Sequence, residues 1–168
     1  EMISFTGSTR AGRAISKAAA ETLKRVCLEL GGKGANIVFA DADDEAVERG
    51  VKHCFQNSGQ SCNAPTRMLV ERPLYEKAIE IAKATAEATR VGSPREHGPH
   101  LGPVINASQF EKIQTLIEGA IKEGSRLVAG GPGRPEDLNR GYYVRPTIFA
   151  DVTQDMTIWR AEVFGPVL

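Results

Sequence analysis

Apolar and polar positions along the chain change period several times, and each change predicts a new element. Ile3-Ser4-Phe5-Thr6 is a short alternating run that stops at Gly7, as a strand followed by a turn does. An Ala-rich, Pro-free helical pattern covers residues 10–22. Residues 23–30 and 36–39 read as the next two strands. Ala46, Val47, Gly50, Val51, Cys54 and Phe55 then recur at helical spacing behind Asp43, a capping candidate, which predicts a helix over 43–57. Residues 66–71 read as a strand, and 75–90 as an amphipathic helix ended by Gly92 and Pro94. Ser108 is expected to cap one more helix, in which Phe110, Ile113, Leu116, Ile117 and Ile121 share a face. Strands at 126–129 and 142–149 close the series, separated by a Gly/Pro-rich loop over 130–141. This alternation predicts an α/β fold with a largely parallel sheet flanked by helices.

Composition narrows the functional classes. With 168 residues and 41% apolar content, the chain can bury one sizeable core. Its 21 basic and 21 acidic residues balance without a basic cluster, which argues against a nucleic-acid partner. No apolar run approaches the roughly 20 residues of a membrane span. Three irregularly spaced cysteines do not form a disulfide framework, so a reducing, cytoplasmic setting is expected. His53 falls on the polar side of a helix, and His97 and His100 fall in a Gly/Pro loop. No cluster has metal-ligand spacing, and no metal is expected. Asn106-Ala107-Ser108 matches a glycosylation sequon, a pattern too short to weigh.

Chemistry concentrates in four segments. In Phe55-Gln56-Asn57-Ser58-Gly59-Gln60-Ser61-Cys62, a cysteine sits among residues with little apolar area to bury. On the residues alone it is a nucleophile or a structural thiol. Cys54, on the helix face with Val47, Val51 and Phe55, is expected in the core, and Cys27 is expected to be packed within its strand. In Leu28-Glu29-Leu30-Gly31-Gly32-Lys33, alternation turns Glu29 away from Leu28 and Leu30. It is a general base or an exposed strand-end carboxylate, and the two glycines allow backbone to come close to a ligand. A thiol and a separate carboxylate suffice for acyl chemistry through a thioester. Phe5-Thr6-Gly7-Ser8-Thr9-Arg10 reads as strand, tight turn and helix start, a place where phosphate binds, although it is not a full dinucleotide fingerprint. Glu162-Val163-Phe164-Gly165-Pro166 sets a carboxylate, able to accept two vicinal hydroxyl protons, beside an aromatic ring. The bland reading is a surface Glu next to a core Phe.

Together these segments resemble the signature patterns of the aldehyde dehydrogenase superfamily, over residues 5–168. The resemblance implies that residues 1–30 are the C-terminal part of a dinucleotide-binding domain and 31–168 an incomplete catalytic domain. It makes Cys62 the nucleophile and Glu29 the base that activates water against the thioester. It places Gly7, Ser8, Leu30, Glu162 and Phe164 at the cofactor, NAD or NADP. The implied function is oxidation of an aldehyde to a free acid by a homo-oligomeric enzyme. Family members that pass the acyl group to coenzyme A typically lack a glutamate at the position of Glu29. Trp159, Arg160 and Ala161 depart from the pattern, since an acidic residue often precedes Glu162, and Gly34-Ala35 replaces a common Ser-Pro. Trp159 is placed to shape the approach of cofactor or substrate; Lys33 has no assigned role. An asparagine that completes the family's oxyanion hole lies upstream of these residues, so the fragment alone is expected to be inactive. The rival readings are a cofactor-independent thiol hydrolase and a catalytically silent structural protein of the same fold.

Overall fold

The computed structural model describes residues 1–168, which form two compact units, Glu1–Gly32 and Lys33–Leu168. The first is a strand–helix–strand unit: β1 (Met2–Thr6), α1 (Thr9–Ala20) and β2 (Arg25–Glu29). The two strands pair in parallel, Met2 opposite Arg25 and Thr6 opposite Glu29. Alternation leaves Ile3, Phe5, Val26 and Leu28 partly buried while their neighbours face out. Gly12 lets α1 approach, because a Cβ there would lie 2.8 Å from a Leu30 methyl.

This unit corrects two sequence expectations. The second strand starts at Arg25, not at 23. Leu23 instead takes a left-handed conformation (φ 49°), and the N–H groups of Leu23 and Lys24 close the helix on the carbonyls of Ala20 and Ala19. A helix end of this kind usually carries glycine, so a leucine at that place hides it. Cys27, expected to be packed, is exposed. The alternation that turns Glu29 outward also turns Cys27 outward, two residues earlier on the same face.

The second unit contains β3 (Ala35–Val38), α2 (Ala46–Phe55), β4 (Arg67–Val70), α3 (Tyr75–Ala88), α4 (Ala107–Lys122), β5 (Arg126–Ala129), β6 (Ile148–Ala150) and α5 (Thr157–Arg160). β3 and β4 pair in parallel, with Ala35 opposite Arg67. β5 and β6 are antiparallel, an exception to the parallel rule. One apolar cluster joins β3 to α2 and α3 through Val38, Val51, Phe55 and Ala82; burying a side chain such as Phe55 is worth about 1.5–3 kcal/mol. A second cluster gathers Ile113 and Ile117 of α4 with Val144, Phe149, Val163 and Val167.

Helix ends differ from the sequence reading. Glu45, not Asp43, precedes α2. The Asp43 carboxylate accepts the Glu45 N–H and clamps Arg49. α2 stops at Phe55 because Gln56 leaves the helical region (ψ 141°) and Asn57 then turns left-handed. The cap of α4 is Asn106, whose side chain accepts the Gln109 N–H at 2.9 Å, and Ser108 lies inside the helix. The strand expected over 142–149 shrinks to Ile148–Ala150. Just before it, the Thr147 backbone pairs with the C-terminal segment: Thr147 N–H donates to the Pro166 carbonyl and Leu168 N–H to that of Thr147. No helix of the structure is long and apolar enough to cross a membrane.

Candidate active site

Cys62 stands exposed in a turn after a loop with an uncommon backbone. Asn57, Ser58 and Gly59 are all left-handed, with φ of 52°, 56° and 71°. Side chains cost energy in this conformation, on the order of 1–3 kcal/mol per residue, so neighbouring contacts must hold it. They are present. Asn57 and Gln60 exchange bonds, the Asn57 amide donating to the Gln60 carbonyl and the Gln60 amide to that of Asn57, each 3.1 Å. Gln60 Oε1 accepts the Ile105 N–H at 2.9 Å, and buried Ser58 donates to the Gly102 carbonyl at 2.8 Å. The loop is thereby tied to residues 102–105 rather than to apolar neighbours.

Cys54 contrasts with Cys62. It is fully buried, its Sγ lies 3.7 Å from the Val167 carbonyl, and burial pushes its thiol up to about 12. That thiol stays protonated and unreactive at neutral pH.

The segment carrying Glu162 and Phe164 meets the cysteine loop. A Cβ on Gly59 would fall 2.0 Å from the Gly165 oxygen, so the two backbones touch at a point only glycine permits. Phe164 is itself left-handed, with φ 57°. From α4, Gln109 Nε2 donates to the Val163 and Phe164 carbonyls at 2.9 and 2.8 Å. The sequence reading did not single out Gln109. Its only signal is the Asn-x-x-Gln spacing of a helix start.

Within the first unit, Gly7 and Glu29 come together: the Gly7 N–H donates to the Glu29 carbonyl at 3.0 Å, and the Glu29 side chain is exposed. Ser8 caps α1, its hydroxyl accepting the Ala11 N–H at 3.2 Å. Leu30 is half-buried, its side chain beside Gly12.

Lys33, unassigned from sequence, opens the second unit. Burial lowers its ammonium to about 8; Arg67 acts with burial, and the Glu162 carboxylate acts in the opposite direction. The Lys33 carbonyl accepts a bond from the Arg67 guanidinium, which also lies 5.1 Å from the centroid of the Trp159 ring. Trp159 is therefore a stacking surface for Arg67, the place the structure gives this departure from the pattern. Lys33, Arg67 and Trp159 line a cavity of about 540 Å³ that Cys62, Glu162 and Phe164 do not line.

A lysine whose ammonium is disfavoured in the folded state costs stability below its folded value. The cost fades as pH rises toward the unfolded value of 10.5, so it lies fully below pH 8 and disappears between 8 and 10.5. Lys33→Met should therefore be more stable than the parent at pH 7 by up to about 3 kcal/mol, an advantage lost by pH 10.5. Urea unfolding at both pH values measures this, and parallel pH profiles for the two proteins would contradict a depressed Lys33.

Comparison with known proteins identifies the family of this fold. The model of the aldehyde dehydrogenase family matches residues 1–168. A 3-succinoylsemialdehyde-pyridine dehydrogenase from a Pseudomonas species is 48% identical over all of this chain and 35% of its own length. The crystal structure of an aldehyde dehydrogenase from Bartonella henselae superposes with a TM-score of 0.99 at 66% identity, covering 100% of this chain and 35% of that one. A Pseudomonas syringae aldehyde dehydrogenase, solved as a cysteine-to-alanine variant with NAD+ and octanal, gives a TM-score of 0.97 at 49% identity, covering 99% of this chain and 35% of its own. The chain belongs to the aldehyde dehydrogenase family. It spans about a third of the length of the relatives it matches.

Proposed function

We propose that the polypeptide carrying these residues oxidises an aldehyde to a carboxylic acid with NAD or NADP, using Cys62 as nucleophile and Glu29 as general base. The observation that carries this reading is the contrast between two cysteines eight residues apart, Cys54 buried in apolar surroundings and Cys62 exposed on a braced, left-handed loop. The three free thiols fit a reducing, cytoplasmic setting.

The residues fit a dinucleotide. The β1–α1 turn combines a side-chain-free Gly7 with a Ser8-capped helix start, whose first N–H groups and dipole favour phosphate oxygens. Gly7 and Ser8 would meet the pyrophosphate and Glu162 the nicotinamide ribose, with Phe164 beside the ring and Leu30 near the cofactor, as the family pattern assigns them. When bound, the cofactor supplies a hydride acceptor.

The remaining steps belong to this chain. Cys62 sulfur forms a bond to the aldehyde carbon, and the carbonyl electron pair moves onto oxygen, where the Cys62 N–H can stabilise it. Loss of hydride from that carbon re-forms the C=O bond and leaves a thioester on Cys62. Glu29 then takes a proton from water as the water oxygen adds to the thioester carbon. The C–S bond breaks, releasing the acid and returning the thiolate. A general base at this step favours hydrolysis to the free acid.

Trapping the intermediate tests the reading. Full-length protein mixed with octanal and NAD+ and quenched in acid should carry an octanoyl group on the peptide containing Cys62, and only when NAD+ is present. Product formation indifferent to NAD+ or NADP+ would make the protein a thiol hydrolase, and absence of both adduct and turnover would make it catalytically silent.

A further inference from the structure

We infer that Gln109 is a positioning residue for the cofactor: through two hydrogen bonds from one amide it holds the Glu162–Phe164 segment in the shape that nucleotide binding requires. The inference rests on the reading of Glu162 and Phe164 as cofactor contacts and adds a residue on a different element.

The geometry is specific. One amide nitrogen reaches two successive carbonyls, those of Val163 and Phe164, at 2.9 and 2.8 Å. Successive carbonyls diverge in an extended strand, and here Phe164 is left-handed, with φ 57°. An aromatic residue holds that conformation only where its surroundings over-determine it. An Nε2 with two N–H groups meets the need, because each carbonyl takes one.

The anchor is itself fixed. Gln109 is the third residue of α4, and its backbone N–H is held by the Asn106 cap. At this position a glutamine side chain commonly turns back to the cap's own N–H. Here it reaches more than fifty residues along the chain instead. One turn further on, fully buried Ile113 packs against Gly165, where a Cβ would sit 2.6 Å from the Ile113 Cδ1. Gln109 and Ile113 share a helix face at a spacing of four, so α4 grips the segment at one polar and one apolar point. The apolar point fixes Gly165, and the polar point fixes the two peptide groups that flank Phe164.

Without the amide donors, Phe164 can relax toward an ordinary backbone region, which turns the Glu162 carboxylate and the Phe164 ring together. Ile113 still holds Gly165 against Gly59, and Cys62 keeps its other supports, Ser58 on Gly102 and Gln60 on Ile105, so its loop should stay in place. A residue serving only general stability would disturb both.

The test uses Gln109→Glu and Gln109→Met in the full-length protein, the first keeping shape and acceptors, the second keeping shape alone. NAD+ affinity is read by calorimetric titration, and the rate of Cys62 alkylation by iodoacetamide is followed without cofactor. Both variants should bind NAD+ about tenfold or more weakly, as expected for two lost hydrogen bonds, while Cys62 alkylation stays within about twofold of the parent. Unchanged NAD+ affinity in both variants overturns the inference, as does a parallel loss of affinity, alkylation rate and melting temperature. If the parent binds NAD+ and forms the Cys62 thioester while the variants match it, Gln109 alone is misassigned. A parent that neither binds NAD+ nor forms the thioester overturns the proposed function and this inference together.

Discussion

In the full-length protein, if Glu29 is the general base proposed above, Glu29→Gln should leave a full burst of reduced cofactor and slow every later turnover about 10²–10⁴-fold, the usual cost of losing a general base. In the proposed mechanism the burst survives because acylation and hydride loss precede the step in which a carboxylate takes the proton from water. The substitution is nearly isosteric, and Glu29 ties to its unit through its backbone, whose carbonyl accepts the Gly7 N–H. Its side chain is exposed at the end of β2, so the strand pairing should be unaffected. Stopped-flow absorbance at 340 nm would show the burst, and acid-quenched samples should contain nearly stoichiometric acyl-Cys62. A variant that folds and binds NAD+ but gives no burst would place Glu29 in an earlier step.

In the full-length protein, Gly59→Ala should cost both stability and the rate of the proposed reaction. The position has φ 71°, and a new Cβ would overlap backbone atoms on the opposite side, 2.0 Å from the Gly165 oxygen and 2.7 Å from the Pro166 nitrogen. Backbone cannot swing aside as the tip of a flexible side chain can, so the cysteine loop or the facing segment must move. Overpacking of this kind costs about 1–3 kcal/mol, with roughly 1 kcal/mol more for the left-handed conformation. Displacing a nucleophile by about 1 Å can cost on the order of 10²-fold in rate. Gly133→Ala is the control: it too has positive φ, at 90°, but open space around the new Cβ. Urea melts and single-turnover rates should show a small stability loss and unchanged rate for Gly133→Ala, and large losses in both for Gly59→Ala. Equal behaviour of the two variants would mean that the Gly59–Gly165 contact is not what fixes the loop.

Much of the architecture could be read from local pattern because it has local causes. α3 begins at Tyr75, as its periodicity predicts, and β5 covers Arg126–Ala129. Cys54 lies in the core because its helix face places it there. What escaped the sequence depends on partners far along the chain. α5 has no cap of its own; the Thr157 N–H and hydroxyl bond to Glu123, at the end of α4. The expected strand over 142–149 is redirected by pairing with residues 166–168. Gln109 carries an ordinary helix-start signal, and nothing adjacent reveals that its amide serves Val163 and Phe164. Cys27 was misread for another reason, since its hydrophobic neighbours alternate with it and do not enclose it. Of the candidate site, the sequence offers the candidate residues, whereas the bonds that hold their segments lie outside local pattern.

The contact between Gly59 and Gly165 also has a consequence in time. The two glycines are separated by about a hundred residues, and a ribosome adds roughly 5–20 residues per second. A nascent chain therefore exposes Cys62 for at least several seconds before the segment that meets its loop has been made. During that interval nothing from residues 163–167 opposes relaxation of the left-handed turn. The thiol is made early, and its loop is fully braced only when synthesis reaches the strip of chain that also carries Glu162.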